Sequence, residues 1–320
     1  MNYDSDSHAT IISSVYKGLA SIVLENDRLR VEVVPSLGAK LVSLFYKPSG
    51  KEWLLSSTDT TLEATEYGSD FTKAALCGWD ECFPTINPSG TAYQADVHLP
   101  DHGEVWALPW ESETDDHGLS CSVKGVQLPY LLTRRLELGQ GSELNLHYNV
   151  LNTGVSAFSF LWAMHPLFAV TEETAILLPS KMEKMVCVYG GQSLEEGVEY
   201  QSSLFNKLSP LQKGDGLKFY YREPAGVNWS GLYGEETGNY VTVSAVGTGV
   251  PQFGVWIDSG LLGNHVAVAL EPGIGYYDSL ARAESNGSAL KLEPGEAFSW
   301  SICLSLGQGI SRCQTQTISS

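Results

Sequence analysis

The sequence has no Cys-x-x-Cys pair, no apolar run of membrane-spanning length, and only 19 Lys and Arg against 37 Asp and Glu. The first absence argues against a zinc knuckle or a redox dithiol. The six cysteines, Cys77, Cys82, Cys121, Cys187, Cys303 and Cys313, are scattered, several of them inside apolar segments such as Met185-Val186-Cys187-Val188. That pattern suits reduced thiols and a cytoplasmic protein. The opening residues, Met1-Asn2-Tyr3-Asp4, are polar and acidic and lack the basic and apolar regions of a signal peptide. With no span either, a membrane partner is not expected. The net charge of −18 makes nucleic-acid phosphates and anionic membranes poor partners. The acid is spread along the chain and reads as a solubilising surface.

Other absences narrow the chemistry. No Gly-x-Ser-x-Gly elbow, phosphate loop or dinucleotide fingerprint stands in a strand-to-helix context. Glycine-rich pieces such as Gly247-Thr248-Gly249 lie between strands and read as turns. A serine hydrolase or a nucleotide enzyme is therefore disfavoured. There is no amphipathic helix of three or more turns and no repeat of fixed period.

What is present is alternation. Leu29, Val31 and Val33 alternate with Arg30 and Glu32, the period of a half-buried strand. Strands are predicted at 21–25, 29–34 and 39–46, the last closed by the turn Lys47-Pro48-Ser49-Gly50. Leu144, Leu146, Tyr148 and Val150 point one way, and Asn145, His147 and Asn149 the other. An apolar strand spans 157–170, broken at His165-Pro166. Further strands fall at 217–222, 239–246, 252–257 and 266–270, and a last hairpin joins 289–292 to 297–306. Many strands with regular turn signals mean an all-β protein, a large antiparallel sandwich. Residues 1–18 read as a loose tail, and 19–320 as one domain.

Three stretches carry polar residues suited to acid/base work. In Ala267-Val268-Ala269-Leu270-Glu271-Pro272-Gly273, Pro and Gly are expected to end a buried strand and leave Glu271 at its rim. A carboxyl partly desolvated there rises toward working pH and becomes a general base; the alternative is a carboxylate facing water. In Pro100-Asp101-His102-Gly103-Glu104, His102 sits on a tight turn with an exposed ring, either a surface residue or a site residue. In Trp162-Ala163-Met164-His165-Pro166-Leu167-Phe168, His165 interrupts an apolar strand. A satisfied core histidine is the common case, but Pro166 removes a ladder donor, and the resulting bulge can aim a side chain into a site. His98, His102 and Glu104 have spacings a metal tolerates, but no second cluster and no His-x-His accompanies them, so no metal is expected.

Trp79, Trp106, Trp162, Trp229 and Trp256 lie close in sequence to acidic or amide groups. Aromatic faces with carboxylates suit a pyranose, which has apolar ring faces and hydroxyl edges. Trp79, Asp80, Trp256 and Asp258 are the candidate sugar-binding residues; for any single Trp, core packing is the simpler reading.

Taken in chain order, these segments resemble the aldose 1-epimerase, or galactose mutarotase-like, family. The ordered set is Val34-Pro35-Ser36-Leu37-Gly38-Ala39-Lys40, Gly78-Trp79-Asp80-Glu81-Cys82-Phe83-Pro84, Asp101-His102-Gly103-Glu104-Val105-Trp106, His165-Pro166-Leu167-Phe168, Leu270-Glu271-Pro272-Gly273 and Asp278-Ser279-Leu280. The resemblance implies a β-supersandwich, no cofactor, and a monosaccharide or modified sugar as ligand. It implies Glu271 as the base for the anomeric hydroxyl, His165 as the acid for the ring oxygen, and His102 as the positioning histidine. A sugar-binding protein without turnover is the alternative on the same fold.

The chain departs from the family pattern in places. His102-Gly103 is followed by Glu104 where characterised galactose mutarotases carry a second glycine, and Pro166-Leu167 replaces an aromatic after the acid histidine. The hydroxyl-reading aspartate has only Asp215 and Asp258 as candidates. The substrate-binding arginine has no counterpart. No basic cluster suited to a sugar phosphate lies near these motifs.

Overall fold

Burial along the strands follows the alternation. The strand Glu143–Asn152 buries Leu144, Leu146, Tyr148 and Val150 and exposes His147. Leu29–Val34 and Lys40–Tyr46 form where the sequence predicts them. The computed structural model describes residues 9–92, 94–222, 229–247 and 249–310. Cys313, Thr248 of the 247–249 turn and the first eight residues of the expected tail lie outside these.

Among the described residues the strands form a 13-stranded and a 9-stranded antiparallel sheet, with two small two-stranded ones. Leu280–Ser285 is the one α-helix among them. The larger sheet runs from Thr10–Tyr16 at one edge through Leu19–Glu25, Leu29–Val34, Lys40–Tyr46, Trp79–Cys82 and Trp162–Pro166. It continues through Ala267–Ile274, Gln252–Ser259 and Asp215–Tyr220 to Lys184–Tyr189 and Glu199–Gln201. One continuous apolar cluster holds the inward side chains of both large sheets, Leu44, Trp79, Phe219, Val255 and Leu270 from one and Leu132, Leu146, Val243 and Leu304 from the other.

A buried charge pair clips the two sheets together. Arg134, on Tyr130–Leu138 of the smaller sheet, donates to Glu81 Oε1 at 2.8 Å and to the carbonyl of Ala39. Tyr148 Oη donates to the same Glu81 oxygen at 2.9 Å, and Trp162 Nε1 to Oε2 at 2.8 Å. Both members of the ion pair are fully enclosed. Three donors on one carboxylate are what makes such burial tolerable.

The structure corrects several expectations. The tail is not loose through residue 18: Thr10–Tyr16 pairs residue for residue with Leu19–Glu25. The last two strands are not a paired hairpin, because Leu290–Leu292 pairs with Phe158–Phe160 while Ala297–Gly307 lies between Glu143–Asn152 and Tyr240–Val246. The apolar stretch at 157–170 divides into Phe158–Phe160, Trp162–Pro166 and Phe168–Ala169. Nor does the ladder stop at Glu271. The strand runs on to Ile274, with Glu271, Pro272 and Gly273 opposite Gly254, Phe253 and Gln252. Pro272 is tolerated because it falls where pairing on the other side is interrupted. There Gly273 pairs with Ala163 and Val268 with Phe168, with no pairs between.

Candidate active site

Period-two geometry puts one set of polar side chains on one face at the middle of the larger sheet. His165 lies opposite Asp80, and Ala163 opposite Gly273. Glu271 lies opposite Gly254 and Gly254 opposite Tyr220; Trp256 lies opposite Lys218. Asp80, His165, Glu271, Trp256, Lys218 and Tyr220 therefore share this face. Trp79, Met164, Leu270, Val255 and Phe219 alternate to the other face and enter the core.

Above the polar face is a cavity of about 340 Å³, the size range of small-ligand sites. His102, His165, Lys218 and Asp278 supply its polar wall, with Asn87. Phe71, Tyr189, Trp256, Leu261 and Leu262 supply apolar surface. The Trp256 and Tyr189 rings lie 5.8 Å apart, and Phe71 stacks on His102 at 3.9 Å.

Glu271 anchors the floor. Its Oε1 accepts from His165 Nδ1 at 2.9 Å, and its Oε2 accepts from Lys218 Nζ in direct contact. Only 2% of Glu271 is exposed, so His165 and Lys218 stand between it and the cavity. Burial alone would raise this carboxyl, but the Lys218 charge and the His165 hydrogen bond outweigh it and hold the pKa at about 2. The expectation of a base raised toward neutral pH is thus overturned by a cation the sequence reading did not assign. Burial lowers the His165 pKa against the opposing pull of Glu271. For Lys218 burial pulls down, but Asp278 and Glu271 win and raise it well above the usual lysine value. The site thus holds an ionised glutamate, a neutral imidazole and an ammonium. An ionised carboxylate only accepts, so the proton sits on Nδ1 of His165 and leaves Nε2 as the basic nitrogen.

His102 comes from the turn Pro100-Asp101-His102-Gly103, with both His102 and Gly103 in the left-handed region. Asp101 Oδ1 accepts from His102 Nδ1 at 3.0 Å, and Asp101 Oδ2 accepts from the Phe71 backbone N–H at 2.9 Å. The ring is half-buried by this and by Phe71, not exposed as the turn suggests, and lies 5.4 Å from the His165 ring. Asp278 is fixed by its own backbone carbonyl, which accepts from Ile86 and Asn87. Its Oδ1 accepts from Tyr220 Oη at 2.6 Å and lies 3.6 Å from Lys218 Nζ.

The structure brings together His102, His165 and Glu271, and sets Trp256 in the cavity wall. The other sugar-binding candidates lie elsewhere. Trp79 is in the core. Asp80 shares the His165 face but is enclosed and paired with Lys40 at 2.6 Å. Asp258 accepts from the backbone N–H groups of Gly260 and Leu261 and lies 3.3 Å from His265, so it shapes the 260–262 loop from beneath. Asp215 accepts from Gln192 and Ser193 at the surface. Glu104 is sealed under Tyr67, Val126 and Gln127, and His98 is exposed on its strand. Among the described residues no group of three or more His, Cys, Asp or Glu is disposed to hold a metal. The sequence reading missed Lys218 and Phe71, and gave no role to Asp278 although Asp278 heads a segment of the ordered set. Lys218 alternates with Leu217 and Phe219, which marks a polar face and does not tell a solvated one from a cavity.

No protein-family model matches the chain, and no curated protein matches it. Solved structures do. Slr1438 of Synechocystis sp. PCC 6803 is similar over 97% of this chain and 100% of its own, at 17% identity and a TM-score of 0.69. A galactose mutarotase-like protein from Lactobacillus casei covers 90% of this chain and 100% of its own, at 16% identity and 0.68. A Klebsiella pneumoniae protein, provisionally assigned as an aldose 1-epimerase, covers 98% of this chain and 87% of its own, at 15% identity and 0.76. Identities this low speak for architecture alone, and the architecture they give is the galactose mutarotase-like β-sandwich.

Proposed function

We propose that the cavity binds an aldose or a modified aldose and interconverts its α and β anomers by ring opening and closure. What carries the reading is the hydrogen bond between His165 and Glu271 at the cavity floor, within one ring's reach of His102. Anomerisation needs a group to take the proton of the anomeric hydroxyl and a group to serve the ring oxygen. The His165–Glu271 dyad supplies the first. Glu271 stays ionised, fixes the tautomer of His165 and stabilises the imidazolium that forms when Nε2 accepts the proton. This moves the base from Glu271 to His165, which the family resemblance makes the acid, because Glu271 is enclosed and its second oxygen is taken. His102 positions the sugar, and Trp256 offers a ring face to its C–H surfaces.

A second reading is a sugar-binding protein without turnover. The Lys218 contact with Glu271 favours it, since a carboxylate already paired with an ammonium gives less counter-charge to the imidazolium that turnover would form. Saturation-exchange NMR with D-glucose, D-galactose, D-xylose and N-acetylglucosamine, run beside calorimetry on the same sugars, separates the two. Exchange between anomers faster than in buffer supports the isomerase. Binding without exchange selects the second reading, and neither result removes both.

A further inference from the structure

We infer that Lys218 is a catalytic residue of the proposed reaction, its ammonium serving the ring oxygen while His165 serves the anomeric hydroxyl. The inference rests on the isomerase reading and deepens it. Lys218 and His165 are held on the two oxygens of one carboxylate, Lys218 on Oε2 and His165 on Oε1. Both side chains form cavity wall, and the carboxylate lies behind them. The reactive oxygens of a cyclic hemiacetal are bonded to one carbon. Two proton-carrying groups anchored side by side match that demand.

The ammonium has donor capacity for a ligand. Lysine carries three N–H bonds. Among the described residues Glu271 is the hydrogen-bond acceptor for Nζ, while Asp278 Oδ1, at 3.6 Å, is already engaged by Tyr220 Oη. If Lys218 served only to neutralise a buried glutamate, nothing would require it to line the cavity.

The step balances. His165 Nε2 takes the proton from the anomeric hydroxyl. The C1–O5 bond breaks with its electron pair passing to O5, C1=O1 forms, and O5 receives a proton from Lys218 Nζ. Rotation about C1–C2 presents the other face of the aldehyde. The reverse transfers close the ring and return both protons, so each group ends as it began.

The test is anomer exchange at varied concentration of whichever panel aldose the wild-type protein exchanges fastest. Lys218→Met is expected to lower kcat at least tenfold with KM changed less than threefold, and Lys218→Arg, which keeps the charge but does not give up its proton, to stay as low. Circular dichroism establishes that each variant is folded. If Lys218→Met does not fold, Lys218→Gln, which keeps an N–H for Glu271, reads the same split. A folded neutral variant with wild-type kcat overturns the inference and leaves the isomerase reading standing, as does a loss confined to KM. A wild-type protein that exchanges no panel sugar overturns the isomerase reading, and this inference falls with it.

Discussion

Lys218 and Glu271 are in direct contact although a whole strand, Gln252–Ser259, runs between theirs. The contact is possible because the residue facing Glu271 on that strand is Gly254. A Cβ there would stand 3.1 Å from Glu271 Oε2 and 3.0 Å from the Tyr220 ring. The bare backbone leaves a trough through which the lysine reaches the carboxylate. That one pairing decides the protonation of the floor, and so decides which residue can act as base.

The dyad makes the first prediction. Glu271→Gln and His165→Asn should each lower anomer exchange by about 10²–10⁴-fold, the usual worth of a positioned proton-transfer group. In Glu271→Gln the amide no longer favours the proton on Nδ1, and the imidazolium loses its counter-charge. Exchange NMR on folded variants reads the loss; rates within twofold of wild type in both would remove the dyad from the chemistry.

The acid side of the pH profile follows from the same groups. The proposed reaction requires neutral His165, whose pKa lies below its ordinary 6.5 because burial dominates. The rate should hold as pH falls through 6.5 and drop only below it. Stability should fall over the same side. Below 6.5 the unfolded chain protonates this histidine before the folded one does, so the unfolded state gains. Glu271 adds a second loss: its stabilisation is present above the unfolded value of 4.5 and disappears as pH falls toward about 2. Denaturant midpoints measured between pH 7 and 3 should therefore fall less in His165→Asn and Glu271→Gln than in wild type, and a slope unchanged in both variants would contradict both shifts.

Much of this was legible in the sequence where residue pattern maps directly onto geometry. Strands at 29–34 and 143–152 follow from alternation, because one face of each meets the core. His102, His165 and Glu271 were legible as an ordered set. The reading failed where the determinant is a neighbour from a distant segment. Pro272-Gly273 looks like a strand end, and only the interruption in the adjacent ladder lets the strand continue. Trp79 looks like a sugar platform, and only its register opposite Leu41 and Pro166 turns it to the core. Lys218 looks solvated, and only the gap at Gly254 brings it to Glu271.

The clip between the sheets gives a prediction on stability. Arg134→Met removes the cation and leaves the Glu81 carboxylate enclosed with two neutral donors, Tyr148 and Trp162. Breaking a buried pair on one side costs about 3–5 kcal/mol. Urea unfolding should show that loss for Arg134→Met. Because Glu81 and Asp80 are adjacent on the strand that pairs with the His165 strand, exchange should weaken as well.

The turn that carries His102 gives the last prediction, with its own control. Gly103 has φ +76, and a Cβ on it would fall against the carbonyl and backbone of Phe83. Gly18 has φ +91 with nothing within 4 Å of a Cβ. Alanine at either site incurs the left-handed penalty of about 1–2 kcal/mol. At Gly103 the clash adds to it and must push the turn, and with it His102, away from Phe83. Both variants should melt at lower temperature, Gly103→Ala by the larger amount. Only Gly103→Ala should lose anomer exchange, by at least tenfold, with Gly18→Ala near wild type. Equal activity in the two would mean that the position of His102 does not matter to the reaction, and its positioning role would have to be given up.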